Sequence, residues 1–145
     1  MSQKGRVLQR PILFGDYILL ERISVGGMAE LFKAKPVGRS ERGDDLLVLK
    51  RILPHLAEDE RFIQMFINEA GVTTQLRHPN ICTVYELGKH EDSHFIAMEY
   101  IAGKDLLAIN QHAKRTGAQL PLDLVRYIAA MTARGLGYAH ARRNT

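Results

Sequence analysis

Leu46-Leu-Val-Leu-Lys-Arg-Ile-Leu53 is apolar except for Lys50 and Arg51. Such a run suits a strand covered on both faces, and Pro54 ends it. Lys50 alternates in phase with Leu46, Val48 and Ile52, so it projects from an apolar strand face. Over residues 59–76 the apolar period becomes helical, with Phe62, Met65, Phe66, Ala70, Thr73 and Leu76 tracing one face. Glu69 falls three after Phe66 and four before Thr73, on that same face. A buried charge is costly unless it is paired. Two readings follow. Either Lys50 and Glu69 meet as the helix packs on the sheet, or each lies at the edge of its face and reaches water, since lysine stems snorkel.

Working outward, residues 17–23 and 30–35 read as strands joined by a short turn that contains Gly26-Gly27. A glycine-bearing turn brings backbone N–H groups close to phosphates, but Gly-Gly is equally a routine hairpin connection. Residues 36–45 are polar and contain glycine, hence a loop. His78-Pro79-Asn80 breaks the helix, and residues 81–87 and 94–101 form a hairpin around Glu91-Asp92-Ser93. Helices then follow. One spans 106–114, with Asp105 as N-cap and Gly117 as terminator, and a longer one runs from Pro121 to Ala141 through Leu124, Tyr127, Ile128, Met131 and Tyr138. A five-stranded antiparallel sheet with one packed helix, followed by helices, is an α+β pattern.

Composition is ordinary for a globular chain: 145 residues, 46% hydrophobic, 25% charged and a formal net charge of +4. Mild basicity suits an anionic ligand, and by itself gives no case for nucleic acid through Arg10, Arg142 or Arg143. Cys82 is the single cysteine, which excludes an intrachain disulfide and a CxxC metal site, and its apolar surroundings suit a buried thiol. His90 and His94 flank a turn with too few neighbouring ligands for zinc. No run approaches the length of a membrane span, and residues 1–10 lack the apolar core of a signal peptide, so a cytoplasmic location is expected.

Taken together, a glycine turn between the first two strands, a lysine in the third and a glutamate on the next helix resemble the protein kinase family. Here the three elements read Ile23-Ser-Val-Gly-Gly-Met-Ala-Glu-Leu31, Leu47-Val-Leu-Lys50 and Glu69. Arg77-His-Pro-Asn-Ile81 resembles the family's turn after that helix, and Phe95-Ile-Ala-Met-Glu-Tyr-Ile101 resembles the strand that runs into its hinge. The phrases Gly-Gly-Met-Ala-Glu and Lys-Arg-Ile-Leu-Pro-His-Leu are similar to bacterial (Hanks-type) serine/threonine kinases. The resemblance covers residues 14–143. It implies a tail at 1–13, an N-lobe with hinge at 14–101, and the start of a helical C-lobe at 102–145.

The resemblance also implies roles. Lys50 would contact the α/β-phosphates of ATP, and Glu69 would hold Lys50. Ile23, Ser24, Val25, Gly26, Gly27, Met28, Ala29, Glu30 and Leu31 would form the nucleotide loop, with Ile23 and Val48 against adenine and Leu31 as roof. Met98 would be the gatekeeper, and Glu99 and Ile101 would offer hinge backbone groups. Asp105 would reach the ribose or cap its helix. Two departures stand out. Ser24 and Ala29 replace two of the family's three loop glycines, which costs about 1–2 kcal/mol at each position if φ is positive there. The sequence also holds neither His-Arg-Asp-x-x-x-x-Asn nor Asp-Phe-Gly, the source of the catalytic base and the Mg²⁺ ligands. Phe14-Gly15-Asp16 is only a reversed look-alike. The expectation is therefore the ATP-binding part of a serine/threonine kinase, inactive alone. The alternative is a non-catalytic kinase-like module that binds a protein partner. A stripe of Leu124, Ile128, Met131 and Tyr138 is expected to lack cover and to favour self-association.

Overall fold

The computed structural model describes residues 6–38 and 46–142. The elements are β1 (Arg6–Phe14), β2 (Tyr17–Val25), β3 (Ala29–Pro36), β4 (Leu47–Ile52), a 3-10 turn (Pro54–Leu56), α1 (Glu60–Thr73), β5 (Val84–His90), β6 (Ser93–Glu99), α2 (Leu106–Thr116) and α3 (Leu122–Arg142). The loop expected at 36–45 falls largely outside the described residues, as do residues 1–5 of the expected tail and Arg143. The described chain forms two units. One holds the residues up to Leu76 with Thr83–Tyr100, and the other holds Arg77–Cys82 with the residues from Ile101 onward.

The first unit is an antiparallel sheet in the order β1-β2-β3-β4-β6-β5, with α1 on one face. The five expected strands are all present, and β1 makes a sixth where a tail was expected. β1 is hard to see in the sequence because it is an edge strand. Ile12 and Leu13 are exposed, Phe14 is its one described buried side chain, and its register slips between Val7 and Ile12, where Pro11 breaks the ladder. Phe14 pairs with Tyr17, so Gly15-Asp16 is a two-residue hairpin loop with Gly15 at φ +55°.

Alternation along the strands sorts the core into two layers. Phe14, Leu19, Phe32, Ala34, Leu47, Leu49, Phe95 and Ala97 cluster on the face away from α1. Ala29, Ile52, Val84 and Ile96 meet Phe66 and Ala70 of α1 on the other. Although β1 and β5 lie at opposite ends of the sheet order, Phe14 packs edge-on against both His90 and Phe95 at 4.7 and 5.5 Å. The Tyr17 hydroxyl also donates to Glu86 at 2.8 Å. The sheet must therefore curl strongly, as twisted sheets do when they approach closure. Burial and the bond to Glu86 hold the Tyr17 hydroxyl above its ordinary pKa.

Asp59 caps α1 by accepting from the Arg61 N–H at 3.0 Å, and that bond keeps its carboxyl below the usual range. Ile63 packs inward, whereas Met65, expected on the buried face, is exposed. In the second unit Asp105 caps α2 through the Ala108 N–H at 2.6 Å, and Gly117 ends it in the left-handed region. α3 rests its buried Gly135 on the Asn80 backbone, and the Arg77 N–H donates to the Tyr138 hydroxyl beside the His78 ring. Tyr138 is thus partnered, which removes it from the expected bare stripe. Leu124 is exposed, while Ile128 and Met131 are half-buried.

Gly88 lies opposite Phe95, and a Cβ there would sit 2.3 Å from the ring. Gly88→Ala should destabilise the chain by about 1–3 kcal/mol in urea unfolding through overpacking. Gly71, in α1 with open space around its Cα, gives the opposite sign. Gly71→Ala should stabilise by about 0.5–1 kcal/mol.

Candidate functional site

β3 and β4 pair so that Leu31 lies opposite Lys50 and Glu30 opposite Arg51. The side chains of these neighbours therefore leave the sheet on opposite faces. On the α1 face the Lys50 ammonium donates to both Glu69 oxygens, at 2.7 and 2.9 Å, and stands 5.7 Å from the centre of the Phe66 ring. The Glu69 side chain is 50% exposed and that of Lys50 22%, so the two readings left open by the sequence both hold in part. The charges pair, and the pair faces water. A pair this exposed contributes at most about 1 kcal/mol to stability.

A cavity of about 370 Å³ opens beside Lys50, walled by Gly26, Gly27, Met28, Ala29, Leu31 and Phe66. Six of the residues singled out in the sequence thus gather around one space. Phe66 was missed as a site residue, although its place one turn before Glu69 on the helix was a usable signal. The turn is held from both sides. The Gly26 N–H donates to the Ala29 carbonyl at 2.8 Å, and the Leu53 N–H to the Met28 carbonyl at 3.0 Å. Among the described residues Glu91 alone has positive φ without being glycine, so Ser24 and Ala29 carry no such strain. Gly26 and Gly27 also have negative φ, and a Cβ on Gly27 would meet nothing within 4 Å.

The other singled-out residues are placed as follows. Ser24 and Val25 are exposed at the end of β2, and Ile23 sits at a register shift. Val48 pairs with Met98 across β4 and β6. The Glu99 N–H is used by the Thr83 carbonyl at 2.8 Å, and a Glu99 carboxylate oxygen accepts from the Thr83 N–H. Glu30 turns its carboxylate away from the cavity towards Arg51 and Arg22. Ile101 and Asp105 belong to the second unit, where the Asp105 carboxylate caps α2. Among the described residues no group of three or more His, Cys, Asp or Glu side chains converges as a metal ligand set. None of the described helices is long and apolar enough to cross a membrane.

The profile of the protein kinase domain matches residues 17–144. The chain belongs to the protein kinase family. It is 40% identical over 131 residues to the tyrosine-protein kinase MasK of Myxococcus xanthus, covering 90% of this chain and 20% of that protein. The serine/threonine-protein kinase PrkC of Bacillus subtilis is 29% identical over 130 residues, 90% of this chain and 18% of PrkC. The solved kinase domain of Mycobacterium tuberculosis PknI superposes with a TM-score of 0.70 at 29% identity, covering 94% of this chain and 52% of that domain. The chain thus spans about a fifth of these curated kinases and about half of a solved kinase domain. It is related to bacterial kinases of the Hanks type, with the antiparallel N-lobe sheet followed by helices.

Because the Lys50–Glu69 pair is half in water, Glu69→Gln should shift the unfolding free energy by less than about 1 kcal/mol in urea titration. A loss several times larger would mean that the pair carries the fold.

Proposed function

We propose that this chain is the ATP-binding portion of a protein kinase. The observation that carries the reading is the Lys50 ammonium, held by both oxygens of Glu69 at the mouth of a glycine-walled cavity. Such a lysine is aimed, as a group that meets the α/β-phosphates must be. Gly27 supports the same reading. Neither its φ nor its packing requires glycine, and a bare backbone there admits an outside group closely. The backbone N–H groups of Gly27 and Met28 are the phosphate donors in this proposal. Val48 and Ile23 lie against the base under Leu31, Met98 is the gatekeeper, and Glu99 and Ile101 offer the hinge backbone. The Glu99 N–H already donates to the Thr83 carbonyl. Asp105 acts as a helix cap rather than a ribose contact.

Protein kinases use ATP with Mg²⁺. The residues here fit the nucleotide and not the metal: Glu69, the carboxylate on the cavity's lysine, has both oxygens on the ammonium. No step through the metal is therefore assigned to this chain. The proposed reaction is that of the family, transfer of the γ-phosphoryl group to a protein hydroxyl. Serine or threonine is favoured as acceptor by the family likeness, and the name of MasK makes tyrosine the rival.

A second reading, a kinase-like module that acts by binding another polypeptide, including a second copy of itself, is favoured by the second unit. There Leu106, Leu107, Leu122, Val125, Tyr127 and Leu136 are exposed large apolar side chains on α2 and α3. Sedimentation velocity decides it. Concentration-dependent association that is lost on Leu122→Glu with Leu136→Glu supports this reading, and a monomer at every concentration removes the self-association.

For the leading reading, ATP should raise the melting temperature of the chain, and Lys50→Met should abolish most of the shift. Equal shifts in both proteins would remove Lys50 from the site. Gly27→Val should leave the unliganded melting temperature within about 2 °C, since its Cβ meets open space, yet should reduce the ATP shift.

A further inference from the structure

The Glu30 carboxylate is buried, with 8% of its side chain exposed, on the sheet face away from the cavity. Its Oε1 accepts from Arg51 Nη2 at 2.6 Å and Nε at 3.1 Å, and Arg22 Nη1 lies 3.7 Å from Oε2. The Arg51 guanidinium is itself fixed, 5.2 Å from the ring centres of both Phe14 and Phe32. Glu30 follows Ala29 directly, and Arg51 follows Lys50. One cross-strand pair thus stands behind the exit of the glycine turn and behind the lysine that faces the cavity.

We propose that Glu30 is a positioning residue: locked to Arg51, it fixes the Gly26–Ala29 turn relative to Lys50, so that the turn's backbone donors and the ammonium meet a polyphosphate together. This rests on the nucleotide reading above and adds to it a residue that touches no ligand. The physical case is one of degrees of freedom. The turn leaves β2 just after a register shift at Ile23, through Ser24 and Val25, whose side chains are exposed and anchor nothing in the core. On the β3 side Ala29 has a small side chain, and Leu31 faces the cavity. Glu30 is therefore the first side chain after the turn with a strong, directional anchor. A bond made through two guanidinium nitrogens restricts rotation as well as distance. The edge strand β1 takes part by supplying Phe14, one of the two rings that hold the guanidinium.

The test compares ATP with adenosine, which has the same base and sugar but no phosphates, by titration calorimetry on the full chain well below its melting temperature. Glu30→Gln should weaken ATP binding roughly tenfold, the scale seen when a group that orients a ligand-contacting residue is lost, and leave adenosine within about twofold. Restoring a carboxylate with Glu30→Asp should recover part of the ATP affinity. If Glu30→Gln fails to fold, Arg51→Lys keeps the charge, removes the fork and should give the same split. ATP and adenosine weakening together would mean a merely structural role and would overturn the proposal, as would no change in either. Lys50→Met separates the two layers of argument. If it leaves ATP binding unchanged, the nucleotide reading fails and this inference with it. If it weakens ATP while Glu30→Gln does not, the positioning role alone is wrong.

Discussion

β4 is an inner strand of the sheet, and at Lys50-Arg51 it puts two cations on opposite faces in a place made for aliphatic side chains. Strand geometry allows no other arrangement, because successive side chains must alternate. Each cation then needs a carboxylate, and each carboxylate comes from a different element. Glu69 reaches Lys50 from α1, and Glu30 reaches Arg51 from β3. The placement of the helix and the register of β3 are both tied to this strand. So is the turn, through the bond from the Leu53 N–H to the Met28 carbonyl.

The two pairs differ in what they do. Glu30–Arg51 is mostly withdrawn from water, with the guanidinium 5.2 Å from two aromatic ring centres, so breaking it would strand a charge in a poorly hydrated place. Lys50–Glu69 is wetter and contributes little to stability. Its value is directional: two short bonds hold the ammonium at the cavity mouth. A cation kept for the fold belongs on the first face, and a cation kept for a ligand belongs on the second.

Much of this was legible in the sequence, and the failures have physical reasons. The β4 run, the helical period of α1 and the β5–β6 hairpin carry strong periodic signals, and Asp105 and Gly117 mark the ends of α2 by their own chemistry. For Lys50 and Glu69, two charges on apolar faces, the sequence left open whether they pair or each reaches water, and the structure shows both in part. β1 was not legible: it is an edge strand with one described buried side chain, interrupted by Pro11, and only the curl of the sheet brings Phe14 to Phe95. Arg51 gave no signal either, because one cation beside another on a strand reads as a solvated neighbour until the ring of Phe14 is known to cover it. The strain suspected at Ser24 and Ala29 was a question of φ, which spacing in a sequence does not fix. Met65 was assigned to the wrong side of α1 because it and Phe66 were both placed on the buried face, and the helix turns Ile63 inward instead.

The central claim is that the Lys50 ammonium faces the phosphates of a bound nucleotide. An acyl-phosphate derivative of ATP tests it directly, since the amine nearest the phosphate chain attacks the acyl carbon, forms an amide and releases ATP. Peptide mass spectrometry then locates the new amide. The account predicts a single dominant site at Lys50, protected by excess ATP. Labelling spread over Lys33, Lys35, Lys89 and Lys114, and indifferent to ATP, would contradict it.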